Sequence, residues 1–303
     1  MSTNNSTDKR VKFDFEVDFS NGGGMQGQDF RLDLAGDDIS DAALAQYLVA
    51  DLRLSMVKEV KIFRKEIFAE KHKRVKIIGE NSPYRFIEVS HAVEHGMITY
   101  KGLPAPIICD YMSREQSGSH YAEGTEFQIG KIEMVANTGT YLDSPFHRYA
   151  NGKDLSELPL SSLADLDGVV VHVIDASKRA ITRAAFGNLN VRGKAVLVHT
   201  GWDAHWRTEQ YFEGHRFLTA DAAKFLADAG AALVGIDSLN IDDTDDGHRP
   251  VHTTLLGADI PIVEHLCGLA QLPDTGFRFF AAPVKVKGCG TFPVRAFGIT
   301  EHL

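Results

Sequence analysis

The segment from Asn137 to His147 carries the residue types in this chain that are best suited to chemistry. If the backbone is extended here, alternation places the odd-numbered positions from 137 to 143 on one face. Gly139 then leaves space in front of Asp143, and Pro145 ends the strand just before His147. An aspartate and a histidine that converge beside such a space are what a metal ligand and a general base require. The same residues are also consistent with an ordinary Asp–Ser–Pro turn with a histidine nearby.

This segment resembles the H-x-G-T-H-x-D-x-P-x-H signature of the cyclase family of metal-dependent hydrolases, which includes bacterial kynurenine formamidase and isatin hydrolase. Five positions match it: Gly139, Thr140, Asp143, Pro145 and His147. Further family elements occur in the expected order before and after this segment, namely Val89–His91 with Gly96–Met97, Thr200–Trp202, Gly235–Ser238, His252–Leu256 with Glu264, and Pro283–Arg295. The resemblance covers about the last 220 residues and does not extend to the first 80.

The resemblance implies a metal-ligand set, with two departures. Asn137 and Tyr141 stand where the family has its first two metal-binding histidines, whereas Asp143, His252 and Glu264 retain the ligands of the other metal position. A neutral amide and a protonated phenol are weak ligands, so we expect at most one divalent metal, zinc or manganese, per chain. The alternative is an empty polar pocket in which these residues only hydrogen-bond to one another.

Of the roles around this metal, the family implies that of the base, and the others follow from the chemistry of this chain's own residues. His147 is expected to be the catalytic base, and Tyr141 to donate a hydrogen bond to the substrate carbonyl or the attacking water. Asn137 is predicted to face the vacated metal position and contact the substrate. Trp202 lies in a segment rich in aromatic residues and is predicted to form a wall for a flat or apolar substrate. No other cofactor site is predicted.

The twelve-residue separation of His252 and Glu264 would place them about 18 Å apart on a continuous helix. Gly257 and Pro261 lie between them, so we expect the chain to turn and return, which brings both residues to one site. His248 has helical spacing to His252, but the intervening proline argues against a helical pair, and His248 is predicted to lie in a loop.

Three functions remain open at this level. The leading hypothesis is a hydrolase that opens a small amide, lactam, formamide or lactone with metal-activated water, as in kynurenine formamidase-like chemistry. The second is a non-catalytic protein that retains the fold and binds a small molecule. The third is a metal-free hydrolase that uses Tyr141 and His147 for acid–base catalysis.

Composition excludes several partner classes. The 303 residues include 32 Lys and Arg against 41 Asp and Glu, a formal net charge of −9. Nucleic acid and anionic lipid are therefore not expected as partners, because both require a basic surface. The three cysteines are far apart, and no apolar targeting or membrane segment is visible, so a cytoplasmic protein with a small-molecule substrate is predicted.

The predicted fold is mixed α/β, with a cyclase-like swivelling β/β/α domain over residues 84–303, as the resemblance implies. Short apolar runs predict buried strands at 169–174, 195–199 and 232–236, and a helix is predicted over 219–230. Residues 1–83 are predicted to be a small β-β-α appendage over 9–70 with a hinge near 71–83. The appendage starts with two alternating strands, and its helix runs from residue 40 to about 56.

The first predicted strand of the appendage has five Val and Phe residues on one face, from Val11 to Phe19. An isolated hairpin would leave too much of this apolar surface in water. We therefore expect the face to pack on the main domain or on a second subunit, which favours a homo-oligomer, either a dimer or a tetramer.

Overall fold

A computed structural model describes residues 9–34, 36–52, 54–69, 83–174 and 178–301. The chain divides into two compact units, Met1–Asn81 and Ser82–Leu303. The predicted hinge over 71–83 lies outside the described residues except for residue 83. Among the helices of the described ranges, none is both long enough and apolar enough to cross a bilayer.

The first unit is a three-stranded antiparallel sheet with one helix, in which β1 lies between β2 and β3. Its elements are β1 (Lys9–Phe19), β2 (Gly24–Leu34), α1 (Asp41–Asp51) and β3 (Val57–Ala69). Ser40 caps α1 through its hydroxyl, which accepts from the Ala43 amide. The helix thus begins where predicted but ends five residues earlier than expected.

The predicted β-β-α pattern omits the third strand of this unit. The apolar residues Val60, Ile62 and Ile67 do not keep one alternation, because a bulge in β3 shifts the register to β1 between Phe63 and Glu66. Arg64 has a φ of 49° at this irregularity. A single extra residue in a strand exchanges its two faces, which hides the strand from a period-two reading.

The apolar face of β1 is covered within its own unit. Val11, Phe13, Phe15 and Val17 are buried and form one core with Leu44 and other residues of the same unit. The expectation that this face needs the main domain or a second subunit is therefore wrong, because α1 supplies the missing apolar layer.

The second unit is built on a nine-stranded mixed sheet, in the order β15-β7-β13-β12-β10-β8-β14-β16-β4. The strands of this sheet are β4 (Tyr84–Glu88), β7 (Tyr141–Asp143), β8 (Leu166–His172), β10 (Lys194–His199), β12 (Leu233–Ile236), β13 (Ile262–Glu264), β14 (Thr275–Phe280), β15 (Thr291–Pro293) and β16 (Phe297–Glu301). The remaining elements are the ribbon of β5 (Ile107–Met112) and β6 (Ile129–Glu133), the pair β9 (Ala180–Ile181) and β11 (Phe217–Leu218), and the helices α2 (Arg114–Gly118), α3 (Ala220–Asp228) and α4 (Pro250–Gly257). The predicted mixed α/β class is confirmed.

The centre of this sheet is parallel and buried on both faces. Strands β8, β10, β12 and β13 run parallel to one another, whereas the strands outside them pair antiparallel. Val169 and Val171 pack with α3 and α4, while Val170 between them packs in the core of the opposite face. Burial on both faces explains why these strands read as continuous apolar runs.

Candidate active site

Strand register assembles the centre of the site. The short strand β7 lies between β13 and β15, and both pairings are antiparallel. Tyr141 is opposite Glu264 in β13, and Asp143 is opposite Thr291 in β15. The backbone ladder therefore brings together side chains that are more than 120 residues apart in sequence.

A cavity of about 290 Å³ opens on this centre. Its lining residues are Tyr100, Leu103, Asn137, Tyr141, His147, Arg148, Asn240, Arg249, His252 and Glu264. Five of the seven predicted site residues are in this wall, and the sixth, Asp143, is fully buried in contact with it. Trp202 is not among the described residues that line the cavity.

His252 is held on the first turn of α4 by Asp242. Its Nδ1 lies 2.7 Å from Asp242 Oδ2, and the same carboxylate accepts from the Val251 and His252 amides at 2.7 and 2.9 Å. A carboxylate can only accept here, so Nδ1 carries a hydrogen, and Nε2 is the nitrogen that offers a lone pair to a cation when the ring is neutral. This is the arrangement of a histidine ligand oriented by an outer carboxylate. The predicted turn between His252 and Glu264 is present, since α4 ends at Gly257 before β13 returns.

Three atoms converge on a position that suits a cation. His252 Nε2 lies 3.6 Å from Asp143 Oδ2 and 3.8 Å from Glu264 Oε1. Asp143 Oδ2 is buried and accepts no hydrogen bond from any described residue. An unpaired buried carboxylate oxygen is costly unless a cation or donor satisfies it, so these residues fit a divalent metal. His147 also comes within metal-ligand range of Asp143 and His252.

The hydrogen bonds of His147 determine which of its nitrogens is basic. Thr291 Oγ1 donates its only proton to Asp143 Oδ1, in a short contact, and lies 2.9 Å from His147 Nδ1. Thr291 must then accept from Nδ1–H, which leaves Nε2 unprotonated in the neutral ring. The side chain is 37% exposed on the cavity wall. His147 can therefore take up a proton through Nε2 while Thr291 holds the ring.

Gly290 allows β15 to approach this histidine. A Cβ at position 290 would lie 2.5 Å from the His147 backbone nitrogen. The Gly290 carbonyl accepts from the Ser144 amide at 2.7 Å, which joins the two segments. Only glycine permits this approach, and it puts the next residue, Thr291, within reach of both His147 and Asp143.

Tyr141 is engaged with Glu264. Its hydroxyl donates to Glu264 Oε2 at 2.6 Å and lies 3.0 Å from the Tyr100 hydroxyl. The Ile241 amide donates to the other oxygen, Oε1, at 2.6 Å. Asn240 Nδ2 donates to the Tyr100 hydroxyl at 2.9 Å, which connects a second phenol to this network. Glu264 is thus fixed on both oxygens.

Burial controls protonation in this network. Burial raises the pKa of Glu264 to about 7, against the opposing effect of His252. Burial also raises the pKa of Tyr141 well above its ordinary value, and the Glu264 charge acts in the same direction. Tyr141 therefore remains a neutral phenol at neutral pH and donates a hydrogen bond instead of binding as an anion. Burial lowers the pKa of His252, but Asp143, Asp242 and Glu264 together outweigh it and raise the value to about 10.

The extended segment predicted before Asp143 is shorter than expected. Only Tyr141–Asp143 forms a strand, and Gly139 has a φ of +66°, in the left-handed region. A Cβ at position 139 would meet Val93 at 3.0 Å, so this glycine permits close packing and does not open space in front of Asp143. Pro145 does end the strand, and His147 lies in the following 3-10 turn, as predicted.

Trp202 is directed elsewhere. It begins a 3-10 turn after Gly201, and its indole Nε1 donates to the Tyr211 carbonyl at 3.0 Å. Another tryptophan, Trp206, stacks on His91 with ring centroids 3.9 Å apart. The aromatic side chains of this segment therefore stabilise the local loop structure, in which the indole N–H of Trp202 has a hydrogen-bond acceptor.

Several site residues have no clear signal in the sequence. These residues reach the site only because distant strands and loops bring them there; they are Tyr100, Asn240, Asp242 and Thr291. Asp242 could be suspected, since Asn240 and Asp242 follow the end of a buried strand, where polar residues of α/β folds often gather. His248, in contrast, lies in a loop with its side chain 94% exposed, as predicted.

Comparison with known proteins places the chain in a family. The pattern of the family described as "Putative cyclase" matches residues 87–243, just over half of the chain. This chain belongs to the cyclase family. The predicted resemblance is confirmed. Kynurenine formamidase of Bacillus cereus is 28% identical over 214 residues, which are 70% of this chain and 95% of the relative.

Solved structures of similar proteins share the fold. A predicted metal-dependent hydrolase from Bacillus stearothermophilus is 28% identical with a TM-score of 0.57, covering 71% of this chain and 98% of that one. Isatin hydrolase A from Labrenzia aggregata has a TM-score of 0.63 at 20% identity, covering 73% and 95% of the two chains. The predicted cyclase-like fold of this cyclase-family chain is thereby confirmed.

Proposed function

We propose that this cyclase-family protein is a metal-dependent hydrolase that cleaves a C–N bond in a small amide, formamide or lactam. The observation that carries the proposal is the convergence of Asp143, His252, Glu264 and His147 at one cavity. It is supported by the similarity to kynurenine formamidase over 95% of that relative's length. The same groups can also hydrolyse a lactone or another ester.

Asp143, His252 and Glu264 are the residues that we propose hold one divalent ion, zinc or manganese. When bound, such an ion polarises a carbonyl and lowers the pKa of water. Asp242 keeps His252 in the tautomer that ligation requires, and Tyr141 and Ile241 hold the Glu264 carboxylate. The chain thus prepares its ligands through fixed hydrogen bonds.

His147 is proposed as the base. Its Nε2 accepts a proton from the attacking water and returns it to the leaving nitrogen, so that water and the amide become a carboxylic acid and an amine. Thr291 accepts from Nδ1–H throughout and keeps the ring in place. Tyr141 and Asn137 line the adjacent wall. The Asn137 amide can donate to the substrate carbonyl, whereas the Tyr141 hydroxyl must give up its bond to Glu264 to do so.

A metal-free protein is the second candidate. The Tyr141 hydroxyl, 2.6 Å from Glu264, already satisfies one carboxylate oxygen without an ion. Acid–base catalysis by Tyr141 and His147, or binding without catalysis, would then be the function of the cavity.

Release of formate from formanilide, a small neutral aryl formamide, tests the proposal. We expect purified protein to hydrolyse it, to lose activity on chelation, and to recover activity when zinc or manganese is returned. Opening of isatin, a lactam, and of an aryl ester measures the breadth of the reaction. Turnover that survives complete metal removal would support the metal-free enzyme, and absence of turnover on every compound would support a binding protein.

We also propose that the protein is a homo-oligomer, either a dimer or a tetramer, and that it is cytoplasmic. The β5–β6 ribbon supports association, because Ile107, Tyr111, Phe127, Ile129 and Ile132 on and beside it are each at least 45% exposed. A two-stranded ribbon with apolar side chains in water is marginal by itself. Light scattering should give a mass of at least two chains, and Tyr111→Lys with Ile132→Lys should reduce it; a monomeric wild type would exclude the assembly.

A further inference from the structure

Two arginines lie on the wall of the cavity that contains His147 and His252. Arg148 directly follows His147, and Arg249 directly precedes α4, on whose first turn His252 lies. Both cationic side chains are therefore adjacent in sequence to the elements that carry the proposed base and a proposed ligand.

Neither guanidinium forms a close ion pair with a carboxylate, although the charge of Arg249 helps to lower the pKa of Asp246. In the described part of the chain, no Asp or Glu oxygen lies within 4.0 Å of either group. Arg148 Nε donates to Thr253 Oγ1 at 3.3 Å, and Arg249 Nη1 donates to the Asp243 carbonyl at 2.8 Å. Each contact uses one nitrogen of a group that has five N–H donors. The other donors make no hydrogen bond to the described residues, and so remain for a ligand.

These contacts also hold the two side chains in place. Thr253 belongs to α4, so Arg148 is joined to the same helix that Arg249 precedes. Arg249 has a φ of 50° and a ψ of 58°, in the left-handed region that few non-glycine residues adopt. A side chain that is already tethered loses less rotational freedom when it binds an anion.

The charges of the cavity favour a negative substrate. The carboxylates of Asp143 and Glu264 are matched by the divalent ion of the proposed function. Arg148 and Arg249 then supply two positive charges on the wall, against the one negative charge of Asp242 behind His252, in a protein whose formal net charge is −9. A planar carboxylate is the anion whose geometry best fits a guanidinium, because it can accept two parallel N–H bonds.

We infer that Arg148 and Arg249 form an anion subsite, and that the hydrolysed compound carries a carboxylate close to the scissile C–N bond. This inference rests on the proposed hydrolase for its substrate, but not for the subsite itself. The cavity of about 290 Å³ suits one small ring with two substituents, with Leu103 and Tyr100 as its apolar and aromatic wall.

Matched acids and amides test the subsite. We expect 2- or 4-formamidobenzoate to have a KM about tenfold or more below that of the corresponding neutral formamidobenzamide, given the strength of charge-assisted hydrogen bonds. Arg148→Gln and Arg249→Gln should each remove most of this preference for the acid over the amide. Arg148→Lys should keep part of the preference, since it retains the charge.

Arg192→Gln is the matched control, since Arg192 is an exposed arginine outside the cavity and has no carboxylate within 4.0 Å among the described residues. Calorimetric binding of aminobenzoate against aminobenzamide gives a readout that does not need turnover. The subsite is supported if the acid binds more tightly and both cavity variants lose this difference, even when no formamide is hydrolysed. It is overturned if acids and amides bind equally, or if the cavity variants behave like Arg192→Gln, even when hydrolysis is fast.

Discussion

Replacing His147 with alanine is expected to lower turnover of a formamide substrate by about 10²-fold or more, because a positioned base contributes that much to proton transfer. The neutral ring presents Nε2 as its only basic nitrogen, since Nδ1–H is bonded to Thr291. Steady-state kinetics of wild type and variant give the ratio of kcat directly. We expect KM to change little, because the lost interaction belongs to the transition state.

His248→Ala is the control for this measurement, as His248 is an exposed loop histidine. Thr291→Val should have an intermediate effect, since it keeps the base but removes the hydroxyl that orients it. We expect this loss of activity to come from misalignment of the imidazole ring and not from loss of stability, which urea denaturation measures separately. A loss below about threefold in His147→Ala would place this histidine in a structural role.

Metal-replete protein is expected to bind one divalent ion per chain, and Asp143→Asn should weaken that binding by at least about 10²-fold. The loss of an outer partner of a ligand costs 10- to 100-fold in metal affinity, and the loss of a direct ligand should cost no less. Asp143 supplies the buried oxygen that no described donor satisfies. Elemental analysis gives the stoichiometry, and anomalous scattering gives the position.

Asn137→His combined with Tyr141→His tests why a second ion is not expected. Restoring both imidazoles should raise the stoichiometry toward two, since imidazole is a far better ligand than a neutral amide or phenol. Two ions in the wild type would refute the one-metal proposal. Absence of any ion after metal-replete purification would favour the polar pocket, in which Tyr141 and Glu264 satisfy each other.

The N-terminal unit shows how far local patterns reach. Strict alternation from Val11 to Val17 predicted a half-buried strand, and the four apolar residues of this alternation, Val11, Phe13, Phe15 and Val17, are buried. The same rule missed β3, since the bulge near Arg64 moves Ile67 out of phase with Ile62. The apolar face of β1 was also expected to pack on another domain or subunit. A sequence pattern shows that a face is apolar, but it does not show which element covers that face.

For the site, the sequence determined the types of group and their order: an aspartate and a histidine around a proline turn, then a histidine and a glutamate that a turn returns to the same place. Residue chemistry and short spacing are sufficient for Asp143 and His147, whereas His252 and Glu264 were indicated by the resemblance to the family. Only the tertiary structure decided that Tyr141 bonds to Glu264, that Thr291 connects Asp143 with His147, and that Asp242 orients His252. It also removed Trp202 from the cavity and placed Arg148 and Arg249 on its wall. These relations depend on the register between strands more than 120 residues apart and on the path of loops, and no local periodicity encodes which distant residue will lie opposite.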